Sequence, residues 1–222
     1  MRRYLVLATA ASALAGIGLA APAQAATGQN GDQQQEVIKH AVQAVQNAEL
    51  DHHFEVLKEH AKGVFIVPSY KKGALIVGAS GGEGVLLVRE NNTWSDPAFF
   101  STGSISVGAQ AGGQAGSVIM LLMTNKAVHT FENANNFSLN AKAGLTVANY
   151  SAKAQTGTNS DDVVVWSQTN GAEGGVSVDG SKISRDRKID QQYYGQNVTT
   201  VQILQGKTNN LSADKLRNAL RG

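Results

Sequence analysis

Residues 73–88 read GALIVGASGGEGVLLV, and residues 118–123 read VIMLLM. In the first stretch two short apolar runs, Leu75-Ile76-Val77 and Val85-Leu86-Leu87-Val88, flank the glycine-rich segment Gly78 to Gly84. Glycine takes positive φ at no steric cost, so this pattern predicts a hairpin with its loop on the glycines. Between Gly103 and Gly116 the residues Ile105, Val107, Ala109 and Ala111 alternate with Ser104, Ser106, Gly108 and Gln110, the period of a half-buried strand. Val118 to Met123 does not alternate, which predicts a strand covered on both faces.

Around this β core the rest of the chain falls into place. Glu36 to Ala48 carries apolar residues at helical spacing, and Asp51 to His60 reads as a second helix stopped near Gly63. Val64-Phe65-Ile66-Val67 is a strand expected to end at Pro68, which cannot donate to a ladder. Pro97 marks an edge or corner, and Asn125 to Phe131 a short helix. Phe137 to Val147 alternates cleanly and reads as one strand. Val163 to Trp166 and Gly175 to Val178 flank an Asn170-Gly171 turn. Asp190 to Tyr194, Thr199 to Leu204 and a terminal segment capped by Ser212 read as helices. Many short strands with helices at both ends predict a mainly β, α+β fold: an antiparallel β-barrel core with helices packed on its outside.

Composition bounds the chemistry. At 222 residues the chain is long enough for one well-buried domain. Without cysteine there is no disulfide, thiolate metal site or cysteine nucleophile. Arg2-Arg3, the apolar run Tyr4 to Ala21 and the Ala23-Gln24-Ala25 pattern have the parts of a secretory signal cleaved near Ala25, which predicts a periplasmic or secreted protein. Cleavage there leaves 17 Lys+Arg against 17 Asp+Glu, so the mature charge is near zero and gives no argument for nucleic acid. The expected layout is a signal at 1–25, a flexible lead-in at 26–35, a helical segment at 36–60, the β domain at 61–206 and a terminal helix at 207–222.

Lys62-Gly63-Val64-Phe65-Ile66-Val67-Pro68-Ser69, Gly81-Gly82-Glu83-Gly84, Trp94-Ser95-Asp96-Pro97-Ala98-Phe99, Gly112-Gly113-Gln114, Gly175 to Ile183, Tyr193-Tyr194-Gly195 and Ile203-Leu204-Gln205-Gly206 occur in that order. In order and spacing they resemble the SYLF-domain family over about Ala61 to Gly206. The resemblance implies a β-barrel with surface helices, no enzyme activity and no cofactor. It also implies lipid binding, phosphoinositide and actin binding in eukaryotic members, and weak lipid binding by exported bacterial ones. The amino-terminal helix departs from the eukaryotic pattern: between Gln33 and Leu50 its one Lys or Arg is Lys39, opposed by Glu36 and Glu49, and no large apolar face is available to enter a membrane. This predicts a helix packed on the barrel.

The densest basic cluster is Lys182, Arg185, Arg187 and Lys188, read as a loop interrupted by Asp179, Asp186 and Asp190. Such cations bind phosphate head groups by charge-assisted hydrogen bonds, or lie solvated among local ion pairs. Lys71-Lys72, read in a strand-connecting turn, is a second candidate. Gly78 to Gly84 lacks the Lys-Ser/Thr pair and the following helix of a phosphate loop. His52, His53 and His60 lack the spacing that puts two metal ligands on one helical face, and no serine sits in a nucleophile elbow. Two functional readings remain. One is an exported protein that weakly recognises anionic phospholipid or phosphoinositide head groups at the membrane surface; the alternative is a structural or adaptor module binding another envelope protein.

Overall fold

The computed structural model describes residues 26–72, 80–103, 106–107, 114–139, 144–150, 161–169, 176–178 and 180–221. Helices α1 (Ala26–Ala48) and α2 (His52–His60) precede the strands β1 (Gly63–Lys72), β2 (Ser80–Glu90), β3 (Thr93–Trp94), β4 (Ala98–Gly103), β5 (Ser106–Val107) and β6 (Gln114–Leu122). Then come α3 (Asn125–Asn133), β7 (Asn136–Leu139), β8 (Val147–Asn149), β9 (Val163–Thr169), β10 (Val176–Ser177) and β11 (Ser181–Arg185). The chain closes with α4 (Arg187–Tyr194), α5 (Thr200–Leu204), a 3-10 turn at Leu211–Ala213 and α6 (Asp214–Arg221).

The main sheet runs β7-β11-β4-β2-β1-β6-β9-β8, with β3 paired to β2 and β5 with β10 as a separate ribbon. The fold is α+β as expected, but the barrel is not closed. The sheet is a curled, open half-barrel whose outer strands β7 and β8 do not pair, and β8 runs parallel to β9. The reason lies in how its faces are filled. Phe65, Leu86, Phe100, Met120 and Val165 form one core with Phe131 of α3 and Ile203 and Leu204 of α5. Val64, Ile66, Leu87, Phe99, Ile119, Leu121 and Trp166 form another with Val45 of α1, Phe54 of α2 and Leu216 and Leu220 of α6. Helices cover both faces, not the outside alone. Alternation still holds in β1, β2, β6 and β9, but both sets of side chains are buried, which is why their sequences read as continuous apolar runs.

Several sequence expectations need correction. The lead-in read as flexible is helical from Ala26, and α1 packs on β1 and α6 as expected of a helix without a membrane face. β1 passes through Pro68 and resumes beyond a register shift, which absorbs the missing N–H. The run Phe137 to Val147 is two strands at opposite edges of the sheet, with Gly144 at φ 73° between them. The predicted strand at Leu75–Val77, the alternation from Gly108 to Ala111 and the Asn170-Gly171 turn lie outside the described residues, as do residues 1–25.

Gly81, Gly82 and Gly84 are not a hairpin loop. They lie inside β2, where a Cβ on Gly81 would stand 2.2 Å from the Thr102 carbonyl oxygen, one on Gly82 2.5 Å from that of Ser69 and one on Gly84 2.8 Å from the Phe65 ring. Glycine serves close approach here rather than positive φ. Gly81→Ala and Gly84→Ala are expected to lower stability by about 1–3 kcal/mol in urea melts. Gly103→Ala, whose Cβ meets nothing among the described residues, should stay within about 0.5 kcal/mol. Equal midpoints for all three would remove this reading of the motif.

Candidate functional site

The basic cluster is not a loop. Lys182 and Arg185 belong to β11, and Arg187 and Lys188 open α4. Along β11 Ser181 and Ile183 are buried while Lys182 is exposed, as strand alternation requires. Lys182 stands between Gly103 of β4 and Ser138 of β7 in the ladder.

The four cations divide by what they touch. The Arg185 guanidinium donates to the Glu132 carbonyl at the end of α3, and burial together with Arg187 lowers its pKa. It satisfies one of the carbonyls a helix leaves open at its C-terminus. Arg187 is exposed and donates to Asn135 Oδ1. Lys182 and Lys188 are exposed and form no ion pair with the described residues.

Of the three interrupting acids, Asp186 and Asp190 are engaged by the fold, and Asp179 lies outside the described residues. Asp186 caps α4 by accepting from the Ile189 N–H at 3.1 Å, while its own N–H donates to the Phe99 carbonyl at 3.0 Å. Asp190 is fully buried and accepts from the Phe99 N–H at 2.8 Å. Burial pushes its carboxyl up to about 7, with Asp186 adding to the rise and the Phe99 N–H, Arg185 and Thr200 opposing it. Lys71 and Lys72 are in β1, not in a turn; Lys71 pairs with Gly81 and Ala115, and Lys72 with Ser80 and Gln114. Their side chains lie outside the described part.

The Trp94 to Phe99 motif is a dock for the C-terminal segment. Trp94 Nε1 donates to the Leu220 carbonyl at 3.1 Å, and Tyr194 Oη to that of Pro97 at 2.7 Å. Asp96 is buried, accepts from Thr208 Oγ1 at 2.8 Å and the Asn210 N–H at 3.2 Å, and pairs with Arg217, which also holds Asp214. Burial outweighs these donors at Asp96 and raises its carboxyl; burial lowers Arg217, but Asp214 and Asp96 outweigh it and raise the guanidinium. The geometry, three donors on one carboxylate, marks an ionised clamp. Arg89 works similarly on α2: its guanidinium donates to the carbonyls of Lys58 at 3.0 Å and Ala61 at 2.9 Å and stacks on Trp94 with 5.0 Å to the ring centroid.

The histidines of α2 do not converge. His52 and His53 are exposed beside Glu55 and Asp51, and His60 Nδ1 lies 2.8 Å from the Val56 carbonyl. Among the described residues no group of three His, Cys, Asp or Glu is placed to hold a metal, and no helix is long and apolar enough to cross a membrane. A groove missed by sequence reasoning opens between α1 and the start of α6. It measures about 500 Å³ and is lined by Ile38, Val42, Tyr193 and Leu211 with Lys39 and Lys215. No local pattern marks it, because its walls, residues 35–43 on one side and Tyr193 with residues 211–215 on the other, are at least 150 residues apart in the chain.

Residues 103–222 match the family described as Ysc84, Las17-binding protein actin regulator. The chain belongs to this family. The SYLF resemblance read from the motifs is thereby confirmed. Protein YSC84 of Saccharomyces cerevisiae is 31% identical over 159 residues, 68% of this chain and 33% of the yeast protein. LAS seventeen-binding protein 3 of the same species is 29% identical over 159 residues, 69% of this chain and 34% of that protein. Human SH3 domain-containing YSC84-like protein 1 is 25% identical over 152 residues, 67% of this chain and 44% of that protein. The chain thus spans a third to under half the length of these relatives.

Proposed function

We propose that this member of the Ysc84 family is an exported, non-enzymatic module that binds anionic phospholipid head groups weakly at the cell envelope. The observation that carries this reading is the division of labour at the β11–α4 junction. Asp186 and Asp190 are taken up by the fold, whereas Lys182, Arg187 and Lys188 stay exposed. A protein of near-zero mature charge then keeps a local positive surface, as head-group contact requires. Export rests on the signal-like residues 1–25, and contact without insertion on the absence of a membrane-entering face in α1.

Liposome co-sedimentation of residues 26–222 tests it. Binding to phosphatidylglycerol, cardiolipin or phosphoinositide vesicles, absent on neutral ones and fading with salt, is expected. Each base near the surface contributes about 1 kcal/mol, so the triple variant K182E/R187E/K188E should weaken binding by about 100-fold or more. Unchanged binding by that variant would remove the site. A second reading, an adaptor for another envelope protein, draws on the family's description as Las17-binding. Vesicle-independent capture of one defined envelope protein by the same chain would favour it.

A further inference from the structure

We propose that the groove between α1 and the start of α6 is a binding site for a monomeric anionic amphiphile, its acyl chain on the groove floor and its carboxylate or phosphate at Lys215. This goes beyond the surface reading above: it concerns a different surface and a ligand taken up as a monomer, and either reading can fail without the other.

The floor is built by α1 and its neighbours. Ile38 and Val42, one helical turn apart, share a face of α1. Ile38 is buried and Val42 half-buried, and Tyr193 of α4 packs beside them in the same apolar cluster. Leu211 at the far wall is 76% exposed, although α6 behind it is docked firmly through Trp94 and Asp96. An exposed leucine beside a concave apolar floor leaves apolar surface facing water, which an acyl chain would cover. The volume of about 500 Å³ lies in the range of small-ligand sites.

Charge at the rim selects the sign of the head. Glu36, Lys39 and Lys215 line the groove, and Glu36 is tied to Lys39 at 3.2 Å with His40 at 3.7 Å. Lys215 forms no hydrogen bond or ion pair with the described residues. One uncompensated ammonium above an apolar floor complements an amphiphile with an anionic head and disfavours a cationic one.

The test is calorimetric titration of the full chain with sodium dodecanoate below its micelle threshold, with dodecyltrimethylammonium as the cationic counterpart and phosphatidylglycerol vesicles as a separate arm. Saturable dodecanoate binding at one site is expected, and the cation should bind at least about fivefold more weakly. Val42→Trp, which fills the groove from a half-buried position, should weaken dodecanoate at least about tenfold. Lys215→Glu, on an exposed side chain, should cost about five- to tenfold without altering the melting temperature. K182E/R187E/K188E should leave dodecanoate binding unchanged while reducing vesicle binding. Loss of the vesicle arm alone removes the surface reading; absence of saturable dodecanoate binding, or equal binding by Val42→Trp, overturns the groove. A dimer that Val42→Trp dissolves, with no dodecanoate uptake, would give the groove to a second copy and equally overturn it.

Discussion

Replacing Asp190 by asparagine is expected to stabilise the protein at pH 8 by up to about 4 kcal/mol and to leave it nearly unchanged at pH 4. The carboxyl is fully buried between α4 and β4 and titrates near 7 rather than at the ordinary 3.8. Because its folded pKa lies above its unfolded value, its favourable contribution is complete below about 3.8 and falls as pH rises towards about 7. Above that pH the fold carries a buried charge whose hydrogen-bond support is the Phe99 N–H, with Thr200 and Arg185 opposing Asp186. Asparagine keeps an acceptor for the Phe99 N–H and removes the charge. Urea melts of both chains from pH 4 to 8 measure the difference, which cancels the titration of other carboxylates. A difference that does not grow with pH would show that Asp190 is accommodated as a carboxylate, and would withdraw the strained charge from this account.

The other large effect is expected at the clamp that holds the C-terminus. Asp96→Ala leaves Thr208, the Asn210 N–H and Arg217 without their shared acceptor in a buried site, and should cost about 3–5 kcal/mol. Arg217→Ala should cost less, since Arg217 is more exposed and Asp96 keeps two neutral donors. The double variant should lose less than the sum of the two, because the second change removes a partner already stranded. Hydrogen exchange would show the loss first in residues 208–221, which the clamp secures to β3 and β4. An Asp96→Ala chain within about 0.5 kcal/mol of the parent, with protection in α6 intact, would mean that Trp94 and the Leu216 and Leu220 contacts hold this segment alone.

The basic cluster shows how far a linear reading reaches. Lys182, Arg185, Arg187 and Lys188 are visible as a charge run, but the receptor of Arg185 is a carbonyl at Glu132 and that of Arg187 an amide at Asn135, both about fifty residues earlier. Arg185→Ala is therefore a stability change before it is a binding change, and charge reversal there would confuse the two. Likewise two of the acids that interrupt the run in sequence are engaged by the fold, Asp186 as a helix cap and Asp190 as a buried acceptor, while Asp179 lies outside the described residues. The Trp94-Ser95-Asp96-Pro97 run carried the family resemblance, yet nothing local shows that its partners are Tyr194, Thr208, Arg217 and Leu220.

Sequence by itself determined the secondary structure where a period or a cap decides it. The apolar strands at 64–67, 85–88, 118–122 and 163–166, the unbroken apolar run that marks 118–122 as covered on both faces, and the short helices from Asn125 and near Thr199 are legible from neighbours within a few residues. Tertiary structure alone decided whether the sheet closed, why glycines stand within β2, which cations were left to solvent and where an apolar groove opened. Each of these depends on atoms from distant segments competing for the same space. The Phe131, Ile203 and Leu204 side chains fill the sheet's face and leave β7 and β8 unpaired, and the Thr102, Ser69 and Phe65 atoms exclude a Cβ at Gly81, Gly82 and Gly84.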